Sequence, residues 1–129
     1  MIVVIDTSVY VSALVFGGVP QLAVSKALDL PCMLAVSNEL IEELEQTLKR
    51  KFGWSNQKIT EAKKYLWSNS ILCNPAVVKA SRDRNDDHVL GCAIAAKAKM
   101  LVTGDKDLLV LHPFDDIDII KPSQFIEEY

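Results

Sequence analysis

The sequence predicts a single α/β domain with a mainly parallel sheet. The first observation is a set of short, continuously apolar runs, rich in β-branched residues at the N-terminal end. Such runs suit strands buried on both faces. The second is that these runs alternate with stretches of helical periodicity, the order that βαβ units produce. The third is length: 129 residues supply one core and are too few for two. Residues 1–129 are therefore read as one domain.

Ile2–Ile5 is the first strand, and Asp6-Thr7-Ser8 ends it with polar residues. A short apolar segment follows. Gly17-Gly18 and Pro20 then open a helix that runs to about Asp29. Residues 32–36 form the second strand. Ser37 or Asn38 caps a long helix to about Lys51, whose Leu40, Ile41, Leu44 and Leu48 keep helical spacing. Acids crowd its first half and bases its last turn, as the helix dipole prefers. Gly53 breaks the chain, and Ser55 caps a helix carrying Ile59, Ala62, Tyr65 and Leu66. Ile71-Leu72, extended by Val77-Val78 if that pair joins it, is the third strand. The polar stretch 81–87 leads into a helix of small residues through Ala98, suited to close packing on a sheet. Met100–Val102 is the fourth strand, 107–111 a helical turn, 117–120 the fifth strand, and Pro122-Ser123 starts a last short helix.

Half the residues are hydrophobic and 24% are charged, a balance that predicts a packed soluble globule and not disorder. No apolar run approaches the roughly 20 residues of a membrane span. Met1 to Asp6 lacks the basic start of a signal peptide, so a cytoplasmic location is expected. The three cysteines, Cys32, Cys73 and Cys92, match neither a disulfide framework nor, with His88 and His112, a zinc pattern; they are expected to be reduced, buried small hydrophobes. The net charge of −3 argues mildly against a polyanionic partner. Its distribution qualifies that, because Lys49, Arg50, Lys51, Lys58, Lys63 and Lys64 form a basic stretch apart from the acids at 83–87 and 105–118. Those lysines serve either as a rim for RNA or as a solvated helix face.

In open parallel sheets ligands bind beyond the carboxyl ends of the strands. Asp6 follows the first strand there, and Asp105 follows the fourth, two residues after Thr103. Asp86, or its neighbour Asp87, stands at the N-terminus of the helix before strand four. Glu43 lies inside the long helix. Singly, each has a plain structural use: a cap, a turn, an exposed helix position. Together at one sheet edge they would repel one another and raise each other's pKa, a penalty that a divalent cation removes. Oxygen-only ligands suit Mg²⁺ or Mn²⁺. Such ions activate water and stabilise the leaving oxygen of a phosphodiester, and no good protein nucleophile is present.

Four segments then carry a family resemblance over nearly the whole chain: Val4-Ile5-Asp6-Thr7-Ser8-Val9, Ser37-Asn38-Glu39-Leu40-Ile41-Glu42-Glu43-Leu44, Arg82-Asp83-Arg84-Asn85-Asp86-Asp87-His88-Val89-Leu90 and Val102-Thr103-Gly104-Asp105-Lys106-Asp107-Leu108-Leu109. In order and at this spacing they resemble the PIN domain, and within it the VapC-type toxin nucleases of type II toxin–antitoxin pairs. The resemblance implies a five-stranded parallel sheet in a three-layer α/β/α sandwich and RNA cleavage with Mg²⁺ or Mn²⁺. It implies Asp6, Glu43, Asp86 and Asp105 as the catalytic acids, with Asp6, Asp86 and Asp105 as metal ligands and Glu43 holding or deprotonating the attacking water. Asp107 matches a further acid of this branch, and Ser8 and Thr103 match positions that hold the acids and waters. Asp87 remains the alternative to Asp86, which is preferred because seven residues separate it from Ala93.

Two departures are visible. Ser8 stands where the family often has Asn, and Arg84-Asn85 replaces a common Pro-Asp. Lys49, Arg50, Lys51 and Lys106 are candidate phosphate contacts that read no sequence. The resemblance further implies a cognate antitoxin and a homodimer or higher assembly, for which Trp54, Trp67 and Tyr65 are candidate exposed anchors unless they serve the core. The competing reading is a catalytically weak module that only binds RNA or protein. An aspartyl-phosphate mechanism at Asp6 is disfavoured, since Ser8 stands where a second acid is wanted.

Overall fold

The computed structural model describes residues 1–77 and 84–129, without the side chains of 84–86. The chain runs β1 (Ile2–Ile5), α1 (Thr7–Val15), α2 (Gly18–Leu28), β2 (Met33–Val36), α3 (Asn38–Phe52), α4 (Asn56–Trp67), β3 (Ile71–Leu72), α5 (Arg84–Ala95), β4 (Met100–Val102), α6 (Lys106–Leu109), β5 (Asp118–Ile120) and α7 (Pro122–Glu128). The five strands form one sheet in the order β3-β2-β1-β4-β5, and every pairing is parallel. Helices flank it in the expected α/β/α sandwich.

The strand order fixes where a site can form. From β1 the chain moves outward through β2 to β3, then crosses back to β4 and β5 on the other side. Right-handed crossovers place connections that run in opposite directions on opposite faces of a sheet. The chain therefore diverges at the carboxyl ends of β1 and β4, the switch point where a crevice opens. Ile5 pairs with Val102 there, and the Asp6 N–H donates to the Val102 carbonyl at 2.9 Å. The strands at the centre are the apolar runs of the sequence: Val3, Val4, Ile5, Met100, Leu101 and Val102 are all fully buried.

Helix α3 forms as its sequence dictates. Ser37 is the N-cap, its hydroxyl accepting from Leu40 N–H at 3.2 Å, which satisfies one of the donors a helix start leaves open. Leu40, Leu44 and Leu48 form its buried stripe, and Gly53 ends it with φ 67°, donating to the Leu48 and Lys49 carbonyls. That left-handed geometry favours glycine.

Elsewhere the structure departs from expectation. The apolar segment after Asp6 is a full helix, α1. Its apolar residues Val9, Val11, Leu14 and Val15 leave only a narrow polar strip, Ser8 and Ser12, to show a helical period, because α1 packs against both α2 and α3. Helix α5 starts inside the polar stretch, at Arg84, and ends at Ala95, where Lys97 takes φ 55°. Strand two starts at Met33 and strand five at Asp118, α6 spans Lys106–Leu109 instead of 107–111, and Val77 belongs to no strand; Val78 lies outside the described residues. Tyr65 is not core but 59% exposed. Trp67 packs inward, edge-on to the buried Tyr10 at 5.3 Å, with its indole N–H donating to the Tyr10 hydroxyl. Trp54 is half-buried under the Lys58 ammonium. Of the three candidate anchors Tyr65 is thus the exposed one; further exposed apolar side chains include Phe16, Val19 and Leu22, beside Phe52, which meets Phe16 edge-on.

Candidate active site

Asp6 leaves β1 directly into α1. It occupies the N-cap position, but its carboxylate does not cap the helix. Instead Oδ2 accepts from the Thr103 hydroxyl at 2.8 Å and from the Ser8 hydroxyl at 3.3 Å, while the Thr7 N–H donates to the same carboxylate. Thr103 is itself fully buried at the end of β4, and its hydroxyl oxygen accepts from the Asp105 N–H at 3.0 Å. One threonine thus ties together the two strand-end acids. Asp105 caps α6 by accepting from the Asp107 N–H at 2.9 Å. The turn-forming use of Asp105 is real and leaves it half-buried at the same edge.

Asp6, Ser8, Val9, Ser12, Glu43, Gly104 and Asp105 line one open cleft of about 490 Å³, together with Pro20 and Pro122. Three of the four predicted acids therefore share one cavity. The fourth falls in the first turn of α5, where Asp87 is buried, 7% exposed, and the side chain of Asp86 lies outside the described residues. Glu43 reaches the cleft from an exposed position on α3. It is held there by His88, whose Nε2 lies 2.8 Å from Glu43 Oε2, while His88 Nδ1 is buried without a partner among the described residues. Sequence reasoning missed His88. Ser12, one turn beyond Ser8, was also missed, and a helical reading of α1 would have placed it on that face.

The basic residues divide. Thr47 and Lys51 line a groove shared with Ser8, Ser12 and Glu43, and Arg50 joins Glu43, Thr47 and Lys51 in a neighbouring one. Positions 43, 47, 50 and 51 share one face of α3 by helical spacing. Lys49 is exposed but lines none of these grooves, and Lys106 is exposed next to Asp105. Lys63 is paired with Glu45.

Burial raises the pKa of Asp6; the hydrogen bonds from Thr103 and Thr7 oppose that rise, and the negative charge of Glu43 adds to it. His88 is shifted upward chiefly by its bond to Glu43, against burial, with further help from Glu39 and Asp6. The donor chemistry fits a hard divalent cation: oxygen ligands only, one of them a buried carboxylate whose charge burial disfavours. Among the described residues no three His, Cys, Asp or Glu side chains converge closely enough to hold one ion; the side chain of Asp86 lies outside that set.

Comparison with known proteins decides the family, because the PIN domain model matches residues 2–107. The chain belongs to the PIN domain family. PIN domains are generally nucleases and typically use divalent metal ions. An uncharacterized protein of Methanocaldococcus jannaschii is 28% identical, the alignment covering 98% of this chain and 90% of that one. The crystal structure of VapBC2 from Rickettsia felis bound to a DNA fragment from their promoter contains a chain of the same fold, with a TM-score of 0.66 at 15% identity over 94% of this PIN domain and 98% of that chain. No single helix among the described residues of this PIN domain is long and apolar enough to cross a membrane.

Proposed function

We propose that this PIN domain is an endoribonuclease that hydrolyses RNA phosphodiester bonds with Mg²⁺ or Mn²⁺, and that it is the toxin of a type II toxin–antitoxin pair acting in the cytoplasm. The observation that carries the reading is the buried Asp6 carboxylate, held by Thr103 and Ser8 in a cleft shared with Glu43 and Asp105. Asp6, Asp105 and the acid at the start of α5 would hold the ion. When bound, it supplies an activated water and neutralises charge on the phosphodiester. Thr103 and Ser8 orient Asp6, and Asp107 fixes Asp105 through its N–H. Glu43 holds or deprotonates the attacking water, with His88 setting its position. Arg50 and Lys51, on the groove leading from Glu43, contact phosphates without reading bases. The third acid is Asp86 or its neighbour Asp87, of which the family spacing prefers Asp86. The Rickettsia felis complex supports an antitoxin partner, and the exposed apolar surface of Phe16, Val19 and Leu22 supports assembly with it or with a second copy.

Cleavage of purified RNA in Mn²⁺ tests the proposal. Asp6→Asn should reduce it by at least a hundredfold with the fold retained, and Asp86→Asn should act more severely than Asp87→Asn. Full activity in Asp6→Asn would sink the assignment. The second reading is a catalytically weak binding module; RNA binding with no calorimetric signal at millimolar Mn²⁺ would select it.

A further inference from the structure

We propose that Cys73 and Cys92 are an oxidisable thiol pair, a modification site at which a small-molecule disulfide of the glutathione class closes a covalent bond between the end of β3 and helix α5. The two sulfurs lie 2.6 Å apart, closer than two unbonded thiols rest comfortably. The surrounding backbone enforces this approach. The Cys73 N–H continues the sheet ladder by donating to the Val36 carbonyl at 2.9 Å, and three residues on the Ala76 N–H donates to the Gly91 carbonyl at 3.0 Å. Gly91 permits that contact, since a Cβ there would stand 2.2 Å from the Ala76 oxygen. The connection from 73 to 76 thus lies directly on α5, and the sulfur pair sits within it.

The two thiols differ in a way that orders the chemistry. Cys73 is half-buried and Cys92 is fully buried. Burial and the adjacent Cys73 push the Cys92 thiol up, so Cys92 is the poorer first nucleophile. The Cys73 thiolate attacks one sulfur of the small disulfide, forming a mixed disulfide and expelling one thiolate. Cys92 then gives up its proton, and its thiolate attacks Cys73 Sγ and expels the second. Two protein thiols are oxidised to one disulfide, one small disulfide is reduced to two thiols, and the two protein protons end on the leaving thiolates. Cys32 is buried apart from the pair, beside an apolar cavity lined by Leu28, Met33 and Tyr65, and stays reduced.

The test uses the whole reduced protein exposed to oxidised glutathione under native conditions, then unfolded for thiol counting and peptide mapping. The expected result is a fall from three thiols to one, a peptide linking Cys73 to Cys92, and no glutathione retained. Cys92→Ala should trap glutathione on Cys73, and Cys73→Ser should keep both remaining thiols and give no linked peptide. Three thiols surviving in the wild type, a stable wild-type adduct on Cys73, or a link through Cys32 would overturn the proposal. The readout is independent of RNA cleavage, so a protein that oxidises in this way but cuts no RNA separates this inference from the proposed activity.

Discussion

His88 and Glu43 meet across 45 positions of sequence, and no local pattern in the chain announces that contact. His88 follows two acids in a helix whose visible signal is small residues for packing. Asp6 and Asp105 are different: Asp6 directly follows one apolar strand run and Asp105 stands three residues past another, so the place of the candidate site was legible in the residues themselves. Their tie through the Thr103 hydroxyl was implied only by the family resemblance, because it depends on β4 lying beside β1. The His88–Glu43 pair makes a measurable prediction. The bond to Glu43 raises the His88 pKa above its ordinary value of 6.5, so the folded protein holds this proton more tightly than the unfolded chain. The stability it contributes is fully present below about pH 6.5 and is lost as pH rises through the higher folded value. The Glu43 side chain is 47% exposed, and solvent screening keeps the effect under about 1 kcal/mol. His88→Gln, which retains a neutral donor, should therefore be less stable than wild type near pH 6 and approach it by pH 9. A difference in melting temperature that stays constant over that range would show that His88 acts through packing alone.

Helix α3 was legible from end to end because local rules and tertiary packing agree: Ser37 caps it, Leu40, Leu44 and Leu48 bury one stripe, and Gly53 closes it. Helix α1 was not, since packing on more than one side narrows its polar face to Ser8 and Ser12. The agreement in α3 also positions function. Its buried stripe fixes the rotation of the helix, and that rotation turns Glu43, Thr47, Arg50 and Lys51 toward the grooves beside Asp6. If those grooves carry RNA, the two cations release counterions that a solvated helix face would not. Each phosphate contact on a single strand contributes about 0.7 to the slope of log affinity against log salt. Arg50→Ala combined with Lys51→Ala should lower the magnitude of that slope by roughly 1.4, while a control Lys49→Ala, on a residue that lines none of the grooves, should leave it unchanged. Equal losses from both variants would return the basic stretch to a solubility role.

At the scale of the molecule, the sheet order places a carboxylate where ionisation opposes folding. Asp6 is held at the switch point with its pKa raised by burial, so the folded state binds its proton more tightly than the unfolded chain. The resulting stability is complete below the ordinary value of 3.8 and is lost as pH rises through the folded value. An ionised Asp6 in the metal-free crevice is therefore an unfavourable charge, a common cost of a preformed site. Asp6→Asn keeps an oxygen that can accept from Thr103 and removes that charge. In chelator it should melt above the wild type, by roughly 4 °C for each kcal/mol relieved in a domain of this size. A divalent cation binding only the folded protein reverses the order. At a hundredfold excess over Kd it stabilises by about 2.7 kcal/mol, so Mn²⁺ should raise the wild-type melting temperature by roughly 10 °C and leave Asp6→Asn unmoved. The crossing of the two proteins between chelator and metal is the diagnostic outcome. It separates an acid arranged for a cation from one arranged for structure, because a structural Asp6 would make Asp6→Asn the less stable protein under both conditions.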